Sequence, residues 1–165
     1  AIRAGAGPGF WITRLVTVFG LQGLVASIIA APILSAGAHG GPPGVLAWLG
    51  AIVALAGLAL ETIADLRLAR HRATRPGELL TSGLWAWTRH PNYLGEAVFW
   101  WGVWLIAADA GLIAAALGVA GPIVMTLLLT RATGVPMLEA RLAARPGWAD
   151  YAARTPAFWP RPPRR

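Results

Sequence analysis

An all-α bundle of about four membrane-spanning helices is the fold class this sequence predicts, and three observations predict it. Of 165 residues, 56% are hydrophobic and only 13% charged, against roughly 25% charged in an average soluble domain, and the mean hydropathy is +0.58. The apolar residues fall into runs close to the roughly 20 residues that a helix needs to cross a bilayer. The charge is also one-sided: all 14 basic residues are Arg, seven acids leave a net of +7, and four passes would put every Arg on one side.

The same numbers exclude several classes. A high pI alone would suggest nucleic acid, but the apolar excess argues for a membrane protein and against that partner. Disorder needs low hydrophobicity, which is not the case here. With no Cys, a disulfide scaffold, a Cys-based zinc site and thiol catalysis fall away, and no metal site is expected. Nine Trp suit a chain with many residues at membrane–water boundaries.

The elements follow in order. Residues 1–9 lack an apolar core and do not read as a signal peptide, so the chain reads as the back part of something longer. A first span over residues 10–35 carries Arg14 near its start and Gln22 inside, and the Gly/Pro-rich loop at 37–43 ends it. A second over 45–66 carries Glu61 and Asp65 near its end. A third runs from Pro91 to Ala108, Asp109-Ala110-Gly111 makes a tight hairpin, and a fourth covers 111–130 with Pro122 as a kink. Beyond it, residues 140–144 fit a short interfacial helix. The N-terminus, the 67–90 segment and the C-terminal tail share the Arg-rich side, which the positive-inside rule assigns to the cytoplasm; the loops near His39 and Asp109 hold no Arg.

Charges inside or at the edge of a span are costly unless paired or hydrated, so each requires a reason. Glu61 and Asp65, four apart, share one helix face, and continuing the period puts Arg72 on the same stripe. Arg67, Arg70, His71, Arg72 and Arg75 follow. Two readings fit: a helix end with a basic apron on anionic lipid, or a ligand site. At the third span, Pro91 suits a first helical turn, and Arg89 and His90 at that positive helix end could receive a phosphate or carboxylate. Asn92, Tyr93 and Glu96 then share the inward stripe within about a turn, and Tyr93 is the one Tyr in the spans, a candidate proton donor. In the tail, Trp148, Tyr151, Arg154, Phe158 and Trp159 read either as an interfacial anchor or as a lid over a nucleotide.

Gly83-Leu84-Trp85 followed by Arg89-His90-Pro91-Asn92-Tyr93-Leu94-Gly95-Glu96 resembles the C-terminal signature of steroid 5-alpha-reductase-like membrane proteins, in particular their bacterial branch described as a domain of unknown function. Glu61-x-x-x-Asp65, Gly134-Val135-Pro136-Met137-Leu138-Glu139, the Tyr151…Thr155…Phe158-x-Pro160 ending and Phe10-Trp11 with Gln22 resemble that branch too, so the likeness covers nearly the whole chain. The Arg-His-Pro-x-Tyr core is shared with sterol reductases and isoprenylcysteine carboxyl methyltransferases, while Asn92 and the Glu61/Asp65 pair tilt it toward the reductases.

That resemblance implies a single membrane domain over 1–165 in a bacterial inner membrane, holding NADPH from the cytoplasmic side. It implies that Glu61, Asp65, Arg72, Arg89, His90, Asn92, Tyr93, Glu139 and Tyr151 hold the cofactor and that Tyr93 and Glu96 stand at the reacting end. The expected activity is reduction of a conjugated C=C bond in a membrane-soluble substrate, with lipid as the surrounding partner. Rival expectations are an S-adenosylmethionine-dependent membrane methyltransferase and a non-catalytic cofactor-binding protein. Two departures stand out: residue 61 is Glu where the steroid enzymes have Asn, and residues 73–81 are generic. The family's further N-terminal helices are expected to be missing from this segment.

Overall fold

The computed structural model describes residues 15–37 and 42–163; Phe10, Trp11, Arg14 and His39 lie outside the described residues. All regular structure among the described residues is helical. A π-helical turn over Leu15–Phe19 leads into α1 (Gly20–Ile29) and α2 (Ala31–Gly37), and this pair is bent by 50°. Pro32, in the first turn of α2, supplies the cause, because it has no N–H to continue the ladder of α1. Next come α3 (Val45–Thr74), α4 (Pro91–Ala108), α5 (Leu112–Gly118), α6 (Ala120–Leu127), α7 (Val135–Leu142) and α8 (Trp148–Arg154). A 3-10 turn covers Gly83–Ala86 and a second π-helical turn covers Leu128–Ala132.

Two helical stretches are long and apolar enough to cross a membrane: Val45–Thr74, whose most apolar window has mean hydropathy 2.0, and Leu112–Leu142, at 2.4. The bent α1–α2 pair makes a third if it counts as one span. The chain is thus an all-helical membrane protein with two to three candidate spans where the sequence predicts about four. The difference lies in α4, which has 18 residues but carries Asn92, Tyr93 and Glu96 in its first two turns, lowering its hydropathy.

Three boundaries differ from expectation. α3 continues two turns past residue 66 because Arg, Leu and Ala are good helix formers, and it stops only where Pro76 restricts Arg75. The interruption expected at Pro122 falls at Val119, which leaves Pro122 in the first turn of α6. Residues 140–144, expected to form a short helix of their own, instead straddle the end of the longer α7, and α8 follows it.

α3 and α4 run antiparallel along a seam of small residues, the device by which membrane helices approach closely. A Cβ added at Gly50 would lie 2.6 Å from the Gly102 carbonyl oxygen, and one at Gly95 would lie 2.5 Å from the Glu61 nitrogen. Ala54 and Gly57 complete the seam on α3. At one end the Asp109 carboxylate accepts the Gly44 N–H at 2.6 Å, tying the hairpin to the start of α3. The indoles of Trp104 and Trp101 donate to the Ala115 carbonyl (2.8 Å) and the Thr126 hydroxyl (3.3 Å), pinning α4 to α5 and α6. At the other end Ala97, Leu129, Val135 and Phe158 form a buried apolar cluster. That cluster fastens the C-terminal tail to α4, and the tail in turn covers Arg89 and His90.

Candidate functional site

Where α4 begins, the chain builds a polar knot. Its hub is Glu139, on α7. The Arg89 guanidinium donates to it through Nε at 2.8 Å and Nη2 at 3.0 Å, and His90 Nε2 lies 3.0 Å from the same carboxylate. Arg89 Nη1 donates to the carbonyls of Ala152, at 2.9 Å, and Thr155. The guanidinium also sits over the Trp148 ring, 5.5 Å from its centroid. Thr88 donates its hydroxyl to the Ala157 carbonyl at 3.0 Å and accepts the His90 N–H at 3.3 Å. Every nitrogen of the Arg89 guanidinium therefore has a protein partner, and the residue acts as a clamp between α4, α7 and α8.

His90 is 1% exposed and stacks on Tyr93 with ring centroids 5.3 Å apart. Burial pushes its imidazole below the usual value, against the opposing pull of Glu139. The neutral ring then donates from Nε2 to Glu139, which leaves Nδ1 as an acceptor; that buried atom has no partner. Tyr151 donates its hydroxyl to the Trp85 carbonyl at 2.7 Å. Burial raises this phenol well above its ordinary range, so it stays protonated and serves as a donor.

Beside the knot lies a cavity of about 130 Å³ that opens to solvent. Arg72 from α3 and Arg145 line it together with His90, Trp85, Trp148 and Tyr151. Arg145 makes one long contact, 3.4 Å, to the Gly77 carbonyl. Trp85 is buried, yet its indole Nε1, like His90 Nδ1, has no partner. Buried polar atoms are normally satisfied, and both of these orphans belong to residues that line the cavity.

The second part of the site lies in the α3–α4 seam. Asn92 donates Nδ2 to Asp65 Oδ1 at 3.0 Å, and its buried Oδ1 has no partner. Glu96 stands close enough to Glu61 and Asp65 to feel both charges. Among the described residues none of these three carboxylates is paired with a cation, and no group of three or more acids and His is arranged to hold a metal ion.

The residues singled out from the sequence therefore fall into two groups. Arg89, His90 and Glu139 hold one another in the knot, and Tyr151 bonds the Trp85 carbonyl beside it. Glu61, Asp65, Asn92 and Glu96 gather in the seam. Arg72 lines the cavity, and Tyr93 joins the groups by stacking on His90 while packing against the apolar cluster. Sequence reasoning did not assign Trp85 or Arg145 to the site. The Gly83-Leu84-Trp85 turn was the available signal for Trp85, and Arg145, in a Pro-Gly turn, had none.

Against known sequences, residues 1–155 match the family described as "Protein of unknown function (DUF1295)". No curated protein and no solved structure matches the chain.

Proposed function

The chain belongs to that family, and from this premise we propose that it is an integral membrane enzyme that uses NADPH to reduce a conjugated C=C bond in a membrane-soluble, lipid-like substrate. The observation that carries the reading is the pairing of a basic, aromatic-walled cavity with a carboxylate–amide face that shares α3 with it. Arg72 and Asp65 are seven residues apart on α3, so the two lie about 10 Å apart along its axis.

The orphan atoms fit the group. Arg72 and Arg145 would hold phosphates, Trp85 and Trp148 offer indoles to an adenine, and the free Oδ1 of Asn92 suits a carboxamide N–H. NADPH, when bound, supplies hydride. Asp65 orients Asn92 through their hydrogen bond. Tyr93 and Glu96 stand at the reacting end, with Tyr93 as the candidate proton donor. The low dielectric of a lipid-facing seam strengthens each such contact and keeps water out. In this reading α4 is a further crossing, giving four spans, and the Arg-rich side with α7 and α8 faces the cytoplasm of a bacterial inner membrane.

Thermal unfolding of the detergent-solubilised full chain with NADPH, NADH or S-adenosylmethionine tests this. NADPH should stabilise it, and Arg72→Ala should weaken NADPH about tenfold more than NADH. Stabilisation by S-adenosylmethionine alone would establish the methyltransferase reading instead, and stabilisation by none would leave a non-catalytic protein.

A further inference from the structure

On the face of α3 turned away from Arg72 the structure carries a second basic site. Trp48, Ile52, Leu55, Ile63 and Leu66 are all strongly exposed. With Ala59 they follow one another at intervals of three and four residues, a single stripe along the outer face of a membrane-length helix. The next position on that stripe is Arg70, with Arg67 and Thr74 beside it. Arg72 is two residues further on, about 200° around the helix, so this stripe and the cavity that Arg72 lines are on different sides of α3.

At the end of the stripe an open groove of about 350 Å³ lies between α3 and the segment around Leu80 and Ser82. Arg67, Arg70, His71 and Arg75 line it, and no acidic residue does. Among the described residues Arg67 and Arg70 form no ion pair, and Arg75 has only a 3.9 Å contact with the exposed Glu78. His71 Nε2 is buried and has no partner. Gly83 keeps the groove open: its φ is +64°, and a Cβ there would come within 3.0 Å of Arg67 Nη1.

We propose that this groove binds the phosphodiester headgroup of an anionic phospholipid, with Arg67, Arg70 and His71 around the phosphate and an acyl chain along Leu66, Ile63 and Leu55. Charge complementarity selects the headgroup. Continuity of the apolar stripe into the groove selects a lipid over free phosphate, since a soluble anion has no use for it. The site is independent of the cofactor reading, because Arg67, Arg70 and His71 do not line the cavity beside the knot.

The test is native mass spectrometry and thermal unfolding of the purified full chain in neutral detergent, with added phosphatidylglycerol, phosphatidylcholine or inorganic phosphate. Phosphatidylglycerol should be retained and should stabilise the protein, and the other two should not. The double variant R67Q/R70Q should weaken phosphatidylglycerol about thirty-fold, the weight of two Arg near an anionic headgroup, while unfolding as the parent does in detergent alone. R131Q/R141Q removes the same charge elsewhere and should leave retention unchanged. Equal retention of phosphatidylcholine, equal loss in the control variant, or stabilisation by inorganic phosphate would each overturn the proposal.

Discussion

Removing Glu139 should release the whole C-terminal cap. Its carboxylate holds Arg89 and His90 at once, through contacts of 2.8 to 3.0 Å. The Arg89 side chain is 10% exposed and that of Glu139 23%, so the pair is mostly, not wholly, shielded. Breaking a buried ion pair from one side costs about 3–5 kcal/mol because the other charge is left uncompensated. The partial exposure of Glu139 puts Glu139→Ala at the lower end, about 3 kcal/mol. Glu139→Gln keeps an acceptor and the shape, and should cost about half as much. The double variant Arg89→Met/Glu139→Leu should cost less than Glu139→Ala, since it leaves no orphan charge. The assay is thermal unfolding in detergent, combined with amide exchange across α8 and the tail up to Phe158. A Glu139→Ala protein within about 0.5 kcal/mol of the parent, with unchanged exchange there, would refute the strut. Loss of NADPH affinity with stability intact would make Glu139 a cofactor ligand instead.

Other outcomes follow from the same geometry. The folded imidazole of His90 sits below its ordinary 6.5, so its contribution is complete above that value and is lost as pH falls from there through the lowered folded value. Unfolding midpoints measured from mildly acidic to neutral pH should show this fall, and His90→Gln should flatten it. Gly102→Val would drive a side chain into the backbone of Ala54 and Gly50. Neither helix can yield without opening the seam, so a loss of about 3 kcal/mol or more is expected, read as folded yield and midpoint; a fully stable variant would disprove the close approach.

How much of this was legible in the sequence varies with the distance over which the information acts. Apolar runs gave the long helices, and Pro91 gave the start of α4, because both signals are local. The sharing of one face by Glu61, Asp65 and Arg72 was also readable, being set by helical period alone. Asp65 meeting Asn92 was not, since that contact depends on the register of two helices, which Gly50, Gly57, Gly95 and Gly102 set jointly. Nor was the Arg89–Glu139 clamp. The sequence offered Arg89 and the start of α4 as a phosphate site, but 50 residues separate Arg89 from the carboxylate that fills its guanidinium. The polarity of α4 has the same long-range origin: its N-terminal residues meet α3 in the seam, and they lower its hydropathy.

The distribution of charge fits the proposed reading, in which the seam is kept for a ligand. The knot pairs its own buried charges, Arg89 with Glu139. One helical turn away, Glu61, Asp65 and Glu96 stand together with no cation among the described residues, on helices with exposed apolar flanks, where unpaired carboxylates are expensive. The chain has Arg to spare, as Arg67 and Arg70 point to the other face of α3. A fold selected for stability alone would have turned one of them inward by a shift of a single residue position or two. Three acids without a cation and the buried, unpartnered Oδ1 of Asn92 cost stability in the seam, and the unpartnered Trp85 and His90 atoms cost it again beside the cavity. A ligand long enough to span the cavity and the seam, with anionic groups at one end and hydrogen-bond donors at the other, would satisfy them together.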